Sequence, residues 1–444
     1  MTLRRKFPNL YFNLVYLFYR SLWFFGFPIF CLYIFNRGRR DPRYSSNFNE
    51  RLGKSNLSIS ESVWIFAASL GEVRASEPLV RKLIALGERI VMTHSTPAGK
   101  EAAMKLFAKE IEEKKIFSIY NPFDNESSIK RLIKAINPKY TLVMEMEYWP
   151  SMIQVHKNLN IPILLCNGHY PKKSIARDKN RFLSSRPFIK NFFGVMVKND
   201  NNAKRFEEIG VKNIAITGDM KFDQDIPQAL INASKKLLQN EKFNRPIITL
   251  TSIVLDEEDR FISIIKTVLE KINDKKRPLF VFVPRAPERF DIVASKLLKS
   301  GITYARRSSS LDSNLNYCQM DSIDVLLGDS LGEMFFYINL SVLTITGGGF
   351  TEGPGSHGIS ESLMLHKPVI IGENSSNIDY ISEEAINQGV AKMMNLKELE
   401  AFLLKGDYIF ASKEKIQHYL SDNTGSTNRT LIAINELLNT RYKL

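Results

Sequence analysis

Two α/β domains behind an N-terminal apolar helix are what this sequence predicts. Three observations carry that expectation. Short apolar runs alternate with helical stretches through both halves of the chain. A polar stretch with no strong strand separates the halves. Residues 10–35 are almost wholly apolar. Strands that alternate with helices imply parallel sheets covered on both faces. With 444 residues, 44% of them hydrophobic and 24% charged, the composition is that of an ordinary globular protein. The length suits two or three domains.

The apolar segment comes first. Between Leu10 and Phe35 the one charge is Arg20. A helix of that length would extend about 39 Å, against a bilayer hydrocarbon core of about 30 Å. Gly26 and Pro28 are expected to kink or break it. Its many aromatic residues suit a membrane interface. Arg4, Arg5 and Lys6 precede it, and Arg37, Arg39, Arg40 and Arg43 follow. The second cluster favours a body on the cytoplasmic side. No small-residue cleavage site follows, which argues against a removed signal peptide. A spanning or re-entrant anchor and a helix lying in the interface both fit. A buried core helix fits less well, because a soluble core rarely takes so long an apolar run.

The formal net charge of +14 favours anionic partners such as nucleic acid, acidic membrane surfaces or phosphorylated substrates. A lysine-rich solvated surface would give the same number. Cys31, Cys166 and Cys318 are too few and too scattered for a disulfide framework or a zinc site. The six histidines include no zincin-type pair.

In the first half, VWIFAA, RIVMTHS, IFSIY, YTLVMEME, PILLCN, FGVMVK and NIAITG read as strands. Between the second and third of these, TPAGKEAAMKLFAK reads as a helix started by Thr96, with Pro97 at its first position. In the second half, PIITLTS, PLFVFVP, IDVLLGD, SVLTITGGG and PVIIG read as strands. The domain change falls near residues 223–244. Ligands of such sheets bind at the carboxyl ends of strands, and the chemically suggestive residues cluster there.

SLGE ends the first strand and places Glu72 at a helix start, where an anion is favoured. Transfer to a hydroxyl needs a base within hydrogen-bond reach, and Glu72 is the candidate, although an ordinary helix-start glutamate would look the same. Glu145 and Glu147 alternate with methionines at another strand end and point to one face. Paired carboxylates there need solvent or partners. Arg285 follows a strand and can clamp a phosphate. Gly332 sits at an expected helix start and can present N–H groups to an anion. The run GGGFTEGPGSHGISE, with Gly348 and Gly349, allows close backbone approach to a nucleotide, and Glu361 beyond it suits ribose hydroxyls. A P-loop and a dinucleotide fingerprint at the first strand are absent from the sequence, and no D-x-D of the kind that binds a metal stands beside a strand.

The order of these motifs resembles that of the bacterial 3-deoxy-D-manno-octulosonic acid (Kdo) transferases. The resemblance rests on ERLG (50–53), WIFAASLGE (64–72), THSTPAG (93–99), PFD (122–124), EMEYWP (145–150), RFEEIG (205–210), GDMKFD (218–223), VPRAPERF (283–290) and DSLGE (329–333). It implies the GT-B glycosyltransferase architecture, two Rossmann-like domains facing across a cleft, behind an anchor and basic flank at residues 1–43. The acceptor-side domain would be 44–225, the linker 226–244, and the nucleotide-sugar domain 245–444. The implied reaction moves Kdo from CMP-Kdo to a phosphorylated lipid A precursor, with inversion and without a metal or cofactor. The implied place is the cytoplasmic face of the inner membrane, with no nucleic-acid partner. Glu72 matches the family's general base, and Glu145 and Glu147 match its acidic strand end. Arg285, Gly332, Glu333 and Glu361 match the nucleotide side, where Gly348, Gly349 and His357 also lie.

The chain departs from the family pattern at several points. His169 stands where the family has an arginine, and TSIVLDEED replaces its S-T-H-x-G-E stretch. Gly358-Ile359 replaces the Asn-Pro after His357, and GENSSNID the following G-P-H…N-F. A relative with another donor or acceptor, or a non-catalytic glycolipid-binding paralogue, are the alternative readings.

Overall fold

The computed structural model describes residues 8–172, 174–175, 186–273, 277–318, 323–353 and 355–439. Arg4, Arg5 and Lys6 lie outside them.

Helix α1 (Pro8–Arg40) opens the chain and stays one helix through Gly26 and Pro28, where the sequence suggested a kink or break. Packing explains the continuity. Trp23, Phe27 and Phe30, on both sides of that pair, rest on Phe123 with ring centroids 6.2, 5.5 and 5.3 Å away. The same face meets Phe188 through Phe12 at 5.2 Å and Phe48 through Phe35 at 5.0 Å. Tyr16 donates to Glu126 at 2.9 Å and Tyr19 to Asp124 at 2.6 Å. The outward face is apolar and bare: Phe24, Phe25 and Ile29 are 78%, 76% and 70% exposed.

The first sheet comprises β1 (Ser62–Phe66), β2 (Ile90–His94), β3 (Ile116–Tyr120), β4 (Pro138–Met144), β5 (Ile163–Gly168), β6 (Gly194–Val197) and β7 (Ile214–Ile216). It is parallel, in the order β3-β2-β1-β4-β5-β6-β7. Helices α2 (Leu70–Ala85), α3 (Pro97–Leu106), α4 (Glu126–Ile136), α5 (Pro150–Leu159) and α6 (Asp200–Ile209) connect its strands. Successive side chains point to opposite faces. Trp64 and Phe66 of β1 therefore pack with Leu132 of α4 and Ile153 of α5, while Val63 and Ile65 pack with Val73 and Leu79 of α2. Burial of both faces is why the strands read as continuous apolar runs.

Local signals set the helix starts. Thr96 accepts from the Gly99 N–H at 3.1 Å, with Pro97 at the first position of α3. Asp124 of the PFD motif accepts from the N–H groups of Ser151 and Met152, at 3.0 and 2.8 Å, and so anchors the start of α5. The same carboxylate takes the Tyr19 hydroxyl, which ties α1 to the sheet.

The second sheet comprises β8 (Ile247–Ile253), β9 (Leu279–Pro284), β10 (Tyr304–Arg306), β11 (Val325–Leu327), β12 (Leu343–Thr346), β13 (Val369–Ile371) and β14 (Ala391–Met393). It is also parallel, in the order β10-β11-β9-β8-β12-β13-β14. Its helices are α7 (Gln228–Leu237), α8 (Glu258–Lys271), α9 (Phe290–Lys299), α10 (Met334–Leu340), α11 (Ser360–Met364), α12 (Asp379–Asn387), α13 (Leu396–Leu404) and α14 (Lys413–Asn423). Alternation recurs here: Ile248, Leu250 and Phe280 enter one core, and Ile247, Leu279 and Val281 the other.

The compact units are Met1–Gln224 with Thr424–Leu444, and Asp225–Asn423. Two features differ from the expected division. Residues 226–244, expected as a linker, contain α7, and Leu237 and Phe243 are buried in a core of the second unit. The last helix, α15 (Ser426–Leu438), belongs to the first unit rather than to a domain running to Leu444. Its Leu431, Ala433 and Ile434 pack with Val63 and Leu164. Asp223 fixes its start by accepting from the N–H groups of Gly425 and Thr427 at 2.7 and 2.6 Å.

Replacing Asp124 by Ala leaves two backbone donors at the start of α5 and the Tyr19 hydroxyl without their acceptor. The expected cost is about 2–4 kcal/mol, and about 1 kcal/mol for Tyr19→Phe. Urea unfolding followed by tryptophan fluorescence measures both, and equal midpoints for variant and parent would refute this role for Asp124.

Candidate active site

In a sheet ordered β3-β2-β1-β4-β5-β6-β7, the direction of winding reverses between β1 and β4. A crevice opens outside the carboxyl ends of the strands at such a point. Glu72 follows β1, and Glu145 and Glu147 follow β4, so the fold brings together the three carboxylates singled out in the first half.

Glu72 lies in the first turn of α2. It turns back toward the strand end: one carboxylate oxygen accepts the Ala68 N–H at 2.5 Å and the other the Ser69 hydroxyl at 3.2 Å. The helix N-terminus and these donors favour the anion. Burial and the negative charges of Glu147 and Glu145 outweigh them and push its pKa up to about 8.

Glu145 behaves in the opposite way. Its φ of +56° is the left-handed conformation, uncommon outside glycine, and it turns the chain at the strand end. The carboxylate is 3.0 Å from Lys221 Nζ and 3.5 Å from Lys198 Nζ. Lys198, whose side chain is 1% exposed, also stands 3.4 Å from Asp219. Burial opposes ionisation of Glu145. Lys198, Lys221 and nearby His169 overcome it and hold the carboxyl well below the usual range. Glu147 is raised by burial and by Glu145, and accepts from Trp149 Nε1 at 2.5 Å. The Trp149 ring packs edge-on against Phe66 of β1. Asp219 accepts from Asn167 at 3.1 Å and from the Lys221 N–H at 3.1 Å, pinning the GDMK turn to the end of β5.

Lys198, Asp219 and Lys221 were not chosen as site residues from the sequence. Lys198 closes the apolar run FGVMVK, and the other two belong to GDMKFD. A charge ending a buried strand was the available signal.

The second sheet reverses between β8 and β12. Here the main residue missed is Glu257, which is 0% exposed. It leaves the end of β8 and accepts from the N–H groups of Gly348 and Phe350, at 2.7 and 2.8 Å, in the glycine loop after β12. One carboxylate thus clasps both sides of the reversal. Glycine is needed at two positions. A Cβ on Gly347 would come within 2.8 Å of Glu257 Oε2, and Gly348 has φ +91° with a Cβ that would lie 2.3 Å from Gly355 O. GENSSNID holds the far side of the loop. Asn374 donates to the carbonyls of Thr351 and Gly353 at 3.2 and 3.1 Å, and Asn377 to that of Ser356 at 2.7 Å.

The other candidates of this half are distributed around that loop. The His357 N–H donates to Gly347 O at 3.1 Å. Its Nε2 is buried and unpaired among the described residues. Burial, then the charge of Arg285, lowers its pKa to about 4, so the ring is neutral at physiological pH. Arg285 itself is exposed after β9. Gly349 lies against Ser356, leaving no room for a side chain. Glu361 is half-buried in the first turn of α11. Gly332, with φ +85°, turns the chain two residues before α10. Glu333 is engaged internally, accepting from Arg307 at 2.5 Å, from Tyr337 at 3.2 Å and from Ser330. Among the described residues no cluster of His, Cys, Asp and Glu is suited to a metal ion.

A family profile described as 3-deoxy-D-manno-octulosonic-acid transferase (kdotransferase) matches residues 46–224. The chain is 28% identical over 421 residues to the 3-deoxy-D-manno-octulosonic acid transferase of Bordetella pertussis, covering 93% of this chain and 96% of that protein. It is 28% identical over 440 residues to that of Haemophilus influenzae, with the same coverage. Among solved structures, a glycosyltransferase from Rickettsia africae superposes with a TM-score of 0.55 at 14% identity, covering 87% of this chain and 100% of that one. UDP-GlcNAc 2-epimerase from Neisseria meningitidis, bound to UDP-GlcNAc, gives 0.54 at 12% identity, covering 86% and 100%. These two likenesses show the fold, a GT-B-like pair of α/β units.

Glu257→Gln keeps one acceptor oxygen and replaces the other by a donor, so one of the two loop N–H groups loses its partner. Such a loss costs about 1–3 kcal/mol. Amide hydrogen exchange at Gly348 and Phe350 is expected to quicken by roughly tenfold or more, while the strands of both sheets keep their protection. Unchanged exchange at both amides would show that the loop is ordered by something else.

Proposed function

Because the chain belongs to the Kdo transferase family of glycosyltransferases, we propose that it transfers Kdo from CMP-Kdo to a phosphorylated lipid A precursor, with Glu72 as the general base. The observation that carries this reading is the split between neighbouring carboxylates: Glu72 is raised to about 8 while Glu145 stays ionised. Neighbouring titratable groups whose environments drive their pKa values apart are what acid–base assignments look like.

The proposed reaction is an inverting displacement. Glu72 accepts the proton of the acceptor hydroxyl as that oxygen bonds to the anomeric carbon of Kdo. The bond from that carbon to the phosphate oxygen breaks on the opposite face, and CMP leaves with the bonding pair. Glu145, fixed by Lys198 and Lys221, keeps the local field negative and so strengthens Glu72 as a base. Glu147 sits in the same field. On the donor side, the glycine loop held by Glu257 offers close backbone approach to the nucleotide. Exposed Arg285 supports a role beside its phosphate, and Glu361 one at the ribose.

The same reading places α1 at a membrane surface. From Phe12 to Phe35 one face of α1 packs on the first unit, a length of about 35 Å. A helix covered along that length by its own body cannot also be ringed by lipid across a hydrocarbon core of about 30 Å. The bare face instead suits a helix lying in the interface. Arg37, Arg39 and Arg40 at its end would meet acidic headgroups at the cytoplasmic face of the inner membrane.

Two measurements test these readings. Detergent-solubilised protein incubated with CMP-Kdo and a tetra-acylated lipid A precursor is expected to add Kdo mass units. Glu72→Gln should lower the rate by roughly 10²–10⁴-fold without unfolding the chain. The base must be deprotonated, so kcat/KM of the parent should climb with pH, reach half its maximum near 8 and level off above that. A folded parent that gives no product would turn attention to other nucleotide sugars, and a Gln variant at full speed would remove Glu72 from the mechanism. Separately, Phe24→Asp with Ile29→Asp should shift the protein from acidic vesicles to the soluble fraction. An N-terminal tag should stay on the same side of inverted vesicles as the body, and a tag on the far side would mean that α1 spans.

A further inference from the structure

The second unit carries a cationic pocket at the end of its sheet remote from the glycine loop. It has a volume of about 340 Å³ and is lined by Lys235, Lys367, Lys413 and Asn339, with Ile231 and Met364 among its apolar walls. Asn339 precedes β12, and Met364 and Lys367 precede β13. The pocket therefore lies at the amino ends of these strands, whereas the glycine loop leaves the carboxyl end of β12. Among the described residues no Asp or Glu lines it, and none of its three lysines forms an ion pair. His366, the other titratable group of the lining, is hydrogen-bonded to Gln417.

Three ammonium groups gathered around one cavity, without a carboxylate, repel one another unless an anion joins them. Lys367 registers that repulsion: half-buried, its pKa is lowered to about 8, first by burial and then by Lys413. Lys235 and Lys413 are exposed, whereas Lys367 is half-buried. The volume exceeds that of one phosphate group, and Ile231 and Met364 give an attached carbon skeleton something to rest on. We propose that this pocket binds a phosphate monoester, with Lys367 and Lys413 as its principal contacts and Lys235 at the rim, at a site separate from the one that carries the transfer reaction. The phosphate can belong to a soluble metabolite or to a lipid headgroup, and the two sources separate experimentally.

Competitive acetylation of the full-length protein in neutral detergent, read lysine by lysine by mass spectrometry, tests the site without using transfer activity. Lys367 should react fast near neutral pH, because about a tenth of it is already the free amine, against well under a hundredth of an ordinary lysine. Inorganic phosphate or dioctanoyl phosphatidic acid, each against chloride at equal ionic strength, should restore its proton and slow the reaction. At ten times the dissociation constant the slowing should be about tenfold, with exposed Lys299 as an unaffected reference. Protection by inorganic phosphate points to a soluble ligand, and protection by phosphatidic acid alone to a headgroup. In Lys413→Gln, an exposed position whose replacement spares the fold, protection of Lys367 should be lost. The proposal is overturned if neither probe slows Lys367, or if both still do so in the double variant Lys235→Gln, Lys413→Gln. Failure of the transfer assay would leave this result untouched, and the converse holds as well.

Discussion

The first unit depends on keeping Glu145 charged inside a strand end. A buried carboxylate costs several kcal/mol unless it is paired and hydrogen-bonded. Here Lys198 and Lys221 pair it, and Asp219 balances Lys198 in turn. Those four residues come from the ends of β4 and β6 and from the GDMK turn. Their mutual attraction sets the distance between segments that hydrogen-bonded strands alone would leave adjustable. Because Glu145 remains an anion, Glu72 meets a negative neighbour instead of a neutral one, and its proton is held more tightly. The chemistry assigned to Glu72 is thus a consequence of a network it does not itself join.

The second unit solves a similar problem with a different device. The winding of its sheet also reverses next to the first strand, and again a carboxylate stands at the reversal. Among the described residues Glu257 forms no ion pair with a lysine. Its partners are backbone N–H groups of the glycine loop. In the first unit charge is balanced by charge, which leaves a perturbed acid available. In the second it is balanced by dipoles, which fixes a loop.

The long apolar helix is part of the fold of the first unit along one of its faces. Its inner face is made of aromatic rings and two tyrosine hydroxyls, which find Phe123, Asp124 and Glu126 on the body. The outer face is mostly hydrocarbon, with Phe24, Phe25 and Ile29 bare. Composition makes both faces look the same, since tyrosine, phenylalanine and tryptophan raise the apolar count wherever they point. Only the positions of hydroxyl acceptors on the body distinguish a helix that docks from one that crosses.

The sequence by itself determined the parallel α/β class, the starts of helices such as α3, and the placing of Glu72, Glu145 and Glu147 at strand ends. These are local matters: strands buried on both faces must be apolar, and a Thr-Pro start declares itself within a few residues. The edge strands β10 and β14 escaped, because Tyr304–Arg306 and Ala391–Met393 carry charges and are only partly buried, so neither forms an apolar run. The return of α15 to the first unit and the packing of α7 within the second escaped as well. Each depends on contacts across many residues, such as Asp223 with Gly425. Glu257, Lys198 and Asp219 were not singled out from the sequence. Tertiary structure alone decided which charges are buried, and therefore which must be paired and which have their proton affinity moved. Burial is a property of what folds over a residue, and it is not written at the residue itself.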